Sequence, residues 1–150
     1  MAMTMSGEVQ LNAPREEVYK KLNDAEVLKA CIPGCEQLDK LSDTEFQATS
    51  TVKVGPVKAR WKGKVTLSDL DPPNGYKISG EGEGGVAGFA KGGAAVALSD
   101  KDGGTLLSYN VEAQIGGKLA QLGQRLIAGA AKKMADDFFV KFAKSVNPAA

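Results

Sequence analysis

The chain has 150 residues, 43% of them hydrophobic, which suits one domain with a sizeable core and no modular division. Nineteen basic residues against eighteen acidic leave a net charge of +1, so global charge points to neither nucleic acid nor an acidic partner. No apolar run reaches eighteen residues and the start, Met1-Ala2-Met3-Thr4-Met5, lacks the regions of a signal peptide, which predicts a cytoplasmic chain without a membrane span.

The first predicted element is a short strand, Glu8-Val9-Gln10-Leu11. A helix follows, with Asn12 or Ala13 at its cap, Pro14 in the first turn where a missing N–H is harmless, and Val18, Tyr19 and Leu22 on one face. A second short helix is expected over 25–30, turning Val27 and Leu28 inward and ending before Pro33-Gly34. From Cys35 to Ile115 the period becomes two, with turn signals at Ser42-Asp43, Gly55-Pro56, Asp71-Pro72-Pro73-Asn74-Gly75 and Asp100-Lys101-Asp102-Gly103-Gly104. Short turns between successive strands imply an antiparallel meander, because parallel neighbours need crossovers of a dozen or more residues. In the clearest strand Val57, Ala59, Trp61, Gly63, Val65 and Leu67 point one way and Lys58, Arg60, Lys62, Lys64 and Thr66 the other. The closing stretch reads as one helix from about Lys118 to Val146, its stripe formed by Leu119, Leu122, Leu126, Ile127, Ala130, Met134, Phe138 and Phe142. A sheet with one apolar side needs a cover, and this helix is the element with enough surface.

One strand, two short helices, a meander of five or six strands and a long closing helix make an α+β helix-grip arrangement. The sequence resembles the START-like or Bet v 1-like (SRPBCC, polyketide cyclase-like) superfamily and, more narrowly, the CoxG-like accessory proteins of aerobic carbon monoxide dehydrogenases. The narrower resemblance lies in Ser6-Gly7, Asn12-Ala13-Pro14, Cys31-Ile32-Pro33-Gly34-Cys35-Glu36, Lys53-Val54-Gly55-Pro56-Val57, Gly80-Glu81-Gly82, Gly88-Phe89, Gly104-Thr105, Tyr109 and the run Gly116-Gly117-Lys118-Leu119-Ala120-Gln121-Leu122-Gly123. It implies a domain over 1–146 with a short tail at 147–150, where many relatives continue into a membrane-engaging tail. It also implies a non-enzymatic protein that requires no cofactor and holds a quinone or lipid in a cavity between sheet and helix. The implied partners are molybdenum hydroxylase subunits and the inner face of the cell membrane.

Side-chain size leaves the interior open to two readings. The helix is rich in small residues (Ala120, Gly123, Ala128, Gly129, Ala130, Ala131, Ala135) and so is the stretch 85–97, so the two surfaces either meet closely or leave a space. The expected lining, taken from inward faces, is Trp61, Phe89, Val96, Tyr109, Val111, Leu119, Leu126, Met134 and Phe138, with Trp61 and Tyr109 able to orient a carbonyl head. The alternative for each of these residues is plain core packing. Phe139 cannot share the direction of Phe138 and is expected against the N-terminal helices or a partner. A purely structural docking subunit with a filled core is the corresponding alternative for the whole protein. Neither monomer nor homodimer is favoured.

A small polyketide cyclase-like or hydrolase-like enzyme is the other alternative. The chain has no histidine, which removes the commonest general base, and its carboxylates sit at turns or among charged neighbours, so catalysis would fall to a groove carboxylate or Tyr109. Gly80-Glu81-Gly82-Glu83-Gly84-Gly85 has dinucleotide-binding spacing but precedes β-like sequence instead of a helix, so a bent hairpin explains it better. Cys31 and Cys35 lack further soft ligands, and packing around the Pro33-Gly34 turn is the expected role, with no metal and no disulfide. Lys58, Arg60, Lys62 and Lys64, with Lys53 on the preceding strand, form a positive row suited to a solvated face, an acidic subunit or an anionic leaflet. Only Trp61 interleaves with this row, and it faces inward, so nucleic acid is not expected.

Overall fold

The computed structural model describes residues 2–146; the tail expected at 147–150 lies outside them. Seven antiparallel strands form one sheet: β1 (Ala2–Leu11), β2 (Cys35–Lys40), β3 (Glu45–Val54), β4 (Val57–Asp71), β5 (Gly75–Glu83), β6 (Phe89–Lys101) and β7 (Gly104–Gly116). Their spatial order is β1-β7-β6-β5-β4-β3-β2, so the meander is continuous and β1 returns to pair with β7 as one edge. Helices α1 (Arg15–Leu22) and α2 (Ala25–Cys31) lie between the two edge strands in sequence, and α3 (Lys118–Gln121) and α4 (Gln124–Val146) close the chain. This is the helix-grip arrangement, with α4 across the concave face.

The local chemistry departs from expectation in three places. β1 begins at Ala2, six residues earlier than predicted, because Met3, Met5, Gly7, Val9 and Leu11 alternate with more exposed Thr4, Ser6, Glu8 and Gln10. Pro14 is the cap of α1 and stands outside its first turn; its carbonyl accepts from Glu17 N–H at 3.1 Å and Val18 N–H at 3.0 Å. The closing helix is two helices, because Gly123 adopts φ +91°, a left-handed conformation that ends one helix before the next begins. The second short helix starts as expected, with Asp24 accepting from Glu26 N–H at 2.9 Å.

The apolar interior falls into two clusters. One joins α1, α2 and the C-terminal half of α4 to one end of the sheet through Leu11, Val18, Phe46, Leu67, Leu107 and Phe142. The other joins Met3, Val54, Ile115, Leu119 and Ile127 at the opposite end. Burial of such side chains stabilises by about 1.5–3 kcal/mol each. Thr105, fully buried, satisfies its hydroxyl by donating to the Ala13 carbonyl at 2.7 Å and so ties β7 to the entry of α1.

Candidate functional site

Strand register brings the small residues together between the two clusters. On the concave face Gly63 pairs with Gly82, Val65 with Gly80, Gly80 with Gly92, Ile78 with Ala94 and Ala94 with Val111. Side chains this short leave an open trough of about 340 Å³, lined by these residues together with Ala90 and Ala113. Close contact of helix and sheet is therefore confined to the two ends of the interface, and the middle of the sheet is hollowed.

A larger groove, about 750 Å³, lies between α4 and β1. Its apolar wall comes from Met3, Met5, Gly7 and Val9 on one side and Ala128, Phe139, Val140 and Ala143 on the other, with Tyr109 at the base and Lys132 and Asp136 on the rim. From Ala128 to Ala143 the helix spans about 22 Å at 1.5 Å per residue. Tyr109 stacks on Phe139 with ring centroids 5.2 Å apart and 19° between planes, and Phe139 meets Phe138 edge to face at 5.0 Å. Lys132 donates to Asp136 at 2.7 Å, which raises the lysine's pKa and closes the rim with an ordinary i,i+4 ion pair.

The expected lining residues separate into distinct places. Val96, Tyr109 and Phe138 border the first cluster, Trp61 and Leu119 belong to the second, and Val111 lies in the trough. Met134 borders a smaller depression of about 210 Å³ with Pro33, Gly34 and Thr51 on the other flank of α4. Two residues face away from the interior. Phe89 is 48% exposed and pairs with Gly116, across which its ring lies, because residues 89 and 96 of one strand have opposite parity and only Val96 points inward. Leu126 is 41% exposed, one residue from buried Ile127, and packs over Gly55 in the β3–β4 turn. Phe139, expected outside the lining, forms part of it through Tyr109. Met3, Met5, Gly7 and Val9 were not anticipated; their alternation is the signal that could have found them.

The basic row on the convex face is interleaved with carboxylates. Arg60 bonds Glu36 at 2.9 Å and Lys64 bonds Glu45 at 3.3 Å, while Lys62 and Lys64 stand opposite Glu83 and Glu81 across the β4–β5 ladder. Lys53 and Lys58 face each other in register without an acidic partner among the described residues. Burial raises the pKa of Tyr19, Cys31 and Tyr76, and all three belong to the helix-capped core instead of the groove. Cys31 and Cys35 are both free thiols, and among the described residues no group of three or more His, Cys, Asp or Glu could hold a metal ion.

A family model for the G subunit of carbon monoxide dehydrogenase (CoxG) matches residues 7–147, nearly the whole chain. The chain belongs to the CoxG family. Within the wider SRPBCC fold, a conserved protein from Geobacillus kaustophilus is 34% identical, covers 96% of this chain and 95% of its own, and superposes with a TM-score of 0.90. A Thermus thermophilus protein (16% identity, 96% and 97% coverage, TM-score 0.70) and the Zhui aromatase/cyclase from Streptomyces (12%, 97% and 94%, 0.71) share the fold alone. No curated protein matches the chain. As a CoxG-family member it is a non-enzymatic accessory protein, and no described helix is long and apolar enough to cross a membrane.

Proposed function

We propose that this CoxG-family protein carries an apolar chain, a prenyl quinone or a lipid acyl chain, in the groove between α4 and β1 and the trough beside it. The observation that carries this reading is the pairing of short side chains across four strands, which parts the core into two clusters and leaves room between them. The groove's volume lies in the range of small-molecule sites, and its Met, Val, Ala and Phe lining favours a ligand held by burial, at about 0.8 kcal/mol per CH₂. Ser6, Lys132 and Asp136 at the groove edge offer polar groups to a carbonyl or phosphate head that stays in water.

In this role the protein serves a carbon monoxide dehydrogenase-type molybdenum hydroxylase as partner, passing quinone between membrane and enzyme or linking electron flow to it. The family assignment supports the partnership, and the groove supports the cargo. Titration of the protein with a short-chain prenyl quinone, read through Trp61 fluorescence, together with native mass spectrometry of gently purified material, tests the proposal. Saturable quenching or a retained apolar ligand is expected. Protein recovered empty that binds neither prenyl quinone nor phospholipid would overturn it.

A further inference from the structure

Both edges of the sheet are open, and only one of them is guarded. β2 has six residues, a bulge between Cys35 and Gln37, and charges at Glu36, Asp39 and Lys40, all features that discourage pairing with another strand. β1 has ten residues in unbroken register with β7, no proline and a single charge, Glu8. Among the described residues no backbone segment other than β7 hydrogen-bonds to it. Beside this bare edge α4 presents Ala128, Lys132, Asp136 and Val140 at four-residue spacing, and Val140 is 58% exposed.

The geometry points to a second copy of this chain as the occupant of that edge, joined β1 to β1, antiparallel, about a twofold axis. Residues paired in an antiparallel ladder share a face, so a strand that pairs with itself is centred on a residue. Centring on Ser6 sets Met3 against Val9 and Met5 against Gly7 on the apolar side, and Thr4 against Glu8 on the other, so no like charges meet. The helix obeys the same axis. Met3 clusters with Ile127, and Leu11 with Phe142 and Val146, so strand and helix run in one direction with their midpoints level. A twofold axis level with position 134 brings Lys132 of each copy to Asp136 of the other, and Ala128 to Val140. An unrelated extended peptide could use the strand edge but would leave these helix charges unmatched, whereas the chain matches itself in strand parity, apolar order and charge order together. The inference goes beyond the cargo reading and needs no ligand; the added strand also walls the open side of the groove.

Sedimentation equilibrium of the full chain, without ligand and across micromolar concentrations, tests the interface. A monomer–dimer equilibrium is expected. Ser6→Lys, at an exposed side chain, brings two ammonium groups together on the axis and should weaken association roughly tenfold. Lys132→Glu should weaken it as well, and Lys132→Glu/Asp136→Lys should restore it, because exchanging the charges recovers the match across the axis. Gln37→Lys on the guarded edge should change nothing. A monomer at every concentration, including one that takes up an extended peptide or a phospholipid at this edge, would overturn the proposal; so would a dimer indifferent to Ser6→Lys, or a charge exchange that fails to restore association. Mass reports the dimer and Trp61 fluorescence reports quinone, so either reading can fail alone.

Discussion

The Tyr109 ring lies across the backbone of Gly7, its partner on the neighbouring strand, so closely that a Cβ on Gly7 would sit 2.5 Å from the Tyr109 hydroxyl oxygen. Phe139 holds the same ring from α4 by stacking. A glycine at this point of an edge strand lets the ring cover backbone that would otherwise be open, and the covered ring forms the base of the groove.

Gly7→Ala should therefore destabilise the fold by about 1–3 kcal/mol, since Tyr109 has to leave its stacked position. Urea unfolding of Gly7→Ala, Tyr109→Ala and the double variant checks it. Strong coupling is expected, with Tyr109→Ala absorbing most of the clash; additive effects would mean the two residues do not touch in solution.

Filling the trough should remove ligand without removing the fold. Ala94→Phe places a ring over Gly80 and Gly92 and should weaken prenyl quinone binding about tenfold, equivalent to about two CH₂ groups no longer buried. Leu126→Phe lies outside the interior and should leave the same titration unchanged.

Thr105→Val keeps the shape of a fully buried side chain but deletes the hydroxyl that donates to Ala13. The orphaned carbonyl should cost about 1–3 kcal/mol, seen as a lower urea midpoint with unchanged slope.

A methyl group on Gly123 would meet nothing within 4 Å, so Gly123→Ala tests backbone conformation alone. At φ +91° an alanine should cost about 1–2 kcal/mol. A stabilised variant in thermal melts would mean that α3 and α4 form one helix in solution.

The Thr51 hydroxyl, donating to Glu36 at 2.6 Å, lowers that carboxyl's pKa, with the nearby Arg60 guanidinium acting in the same direction. A depressed folded pKa contributes stability that is present above the ordinary carboxylate value and lost as pH falls through the depressed one. An NMR titration should show Glu36 protonating below the usual range, and Thr51→Val should move it back up.

Alternation in β4 and β7 exposed the one-sided sheet, and the three-four spacing of Ile127, Met134, Phe138 and Phe142 exposed its cover, because these patterns are local consequences of burying one face. Phe89 was misplaced because it stands seven residues before Val96 on the same strand, an odd separation that puts the two on opposite faces, and Leu126 because Gly123 interrupts the helical phase. The groove was missed because it joins β1 to α4, elements more than a hundred residues apart.

The amino-acid order alone settled the element types, the antiparallel meander and the family, since propensity, turn chemistry and motif spacing act over short stretches of chain. Tertiary structure decided which short side chains stand opposite one another and where the space lies. Those are properties of register and of distant segments meeting, and no local pattern carries them.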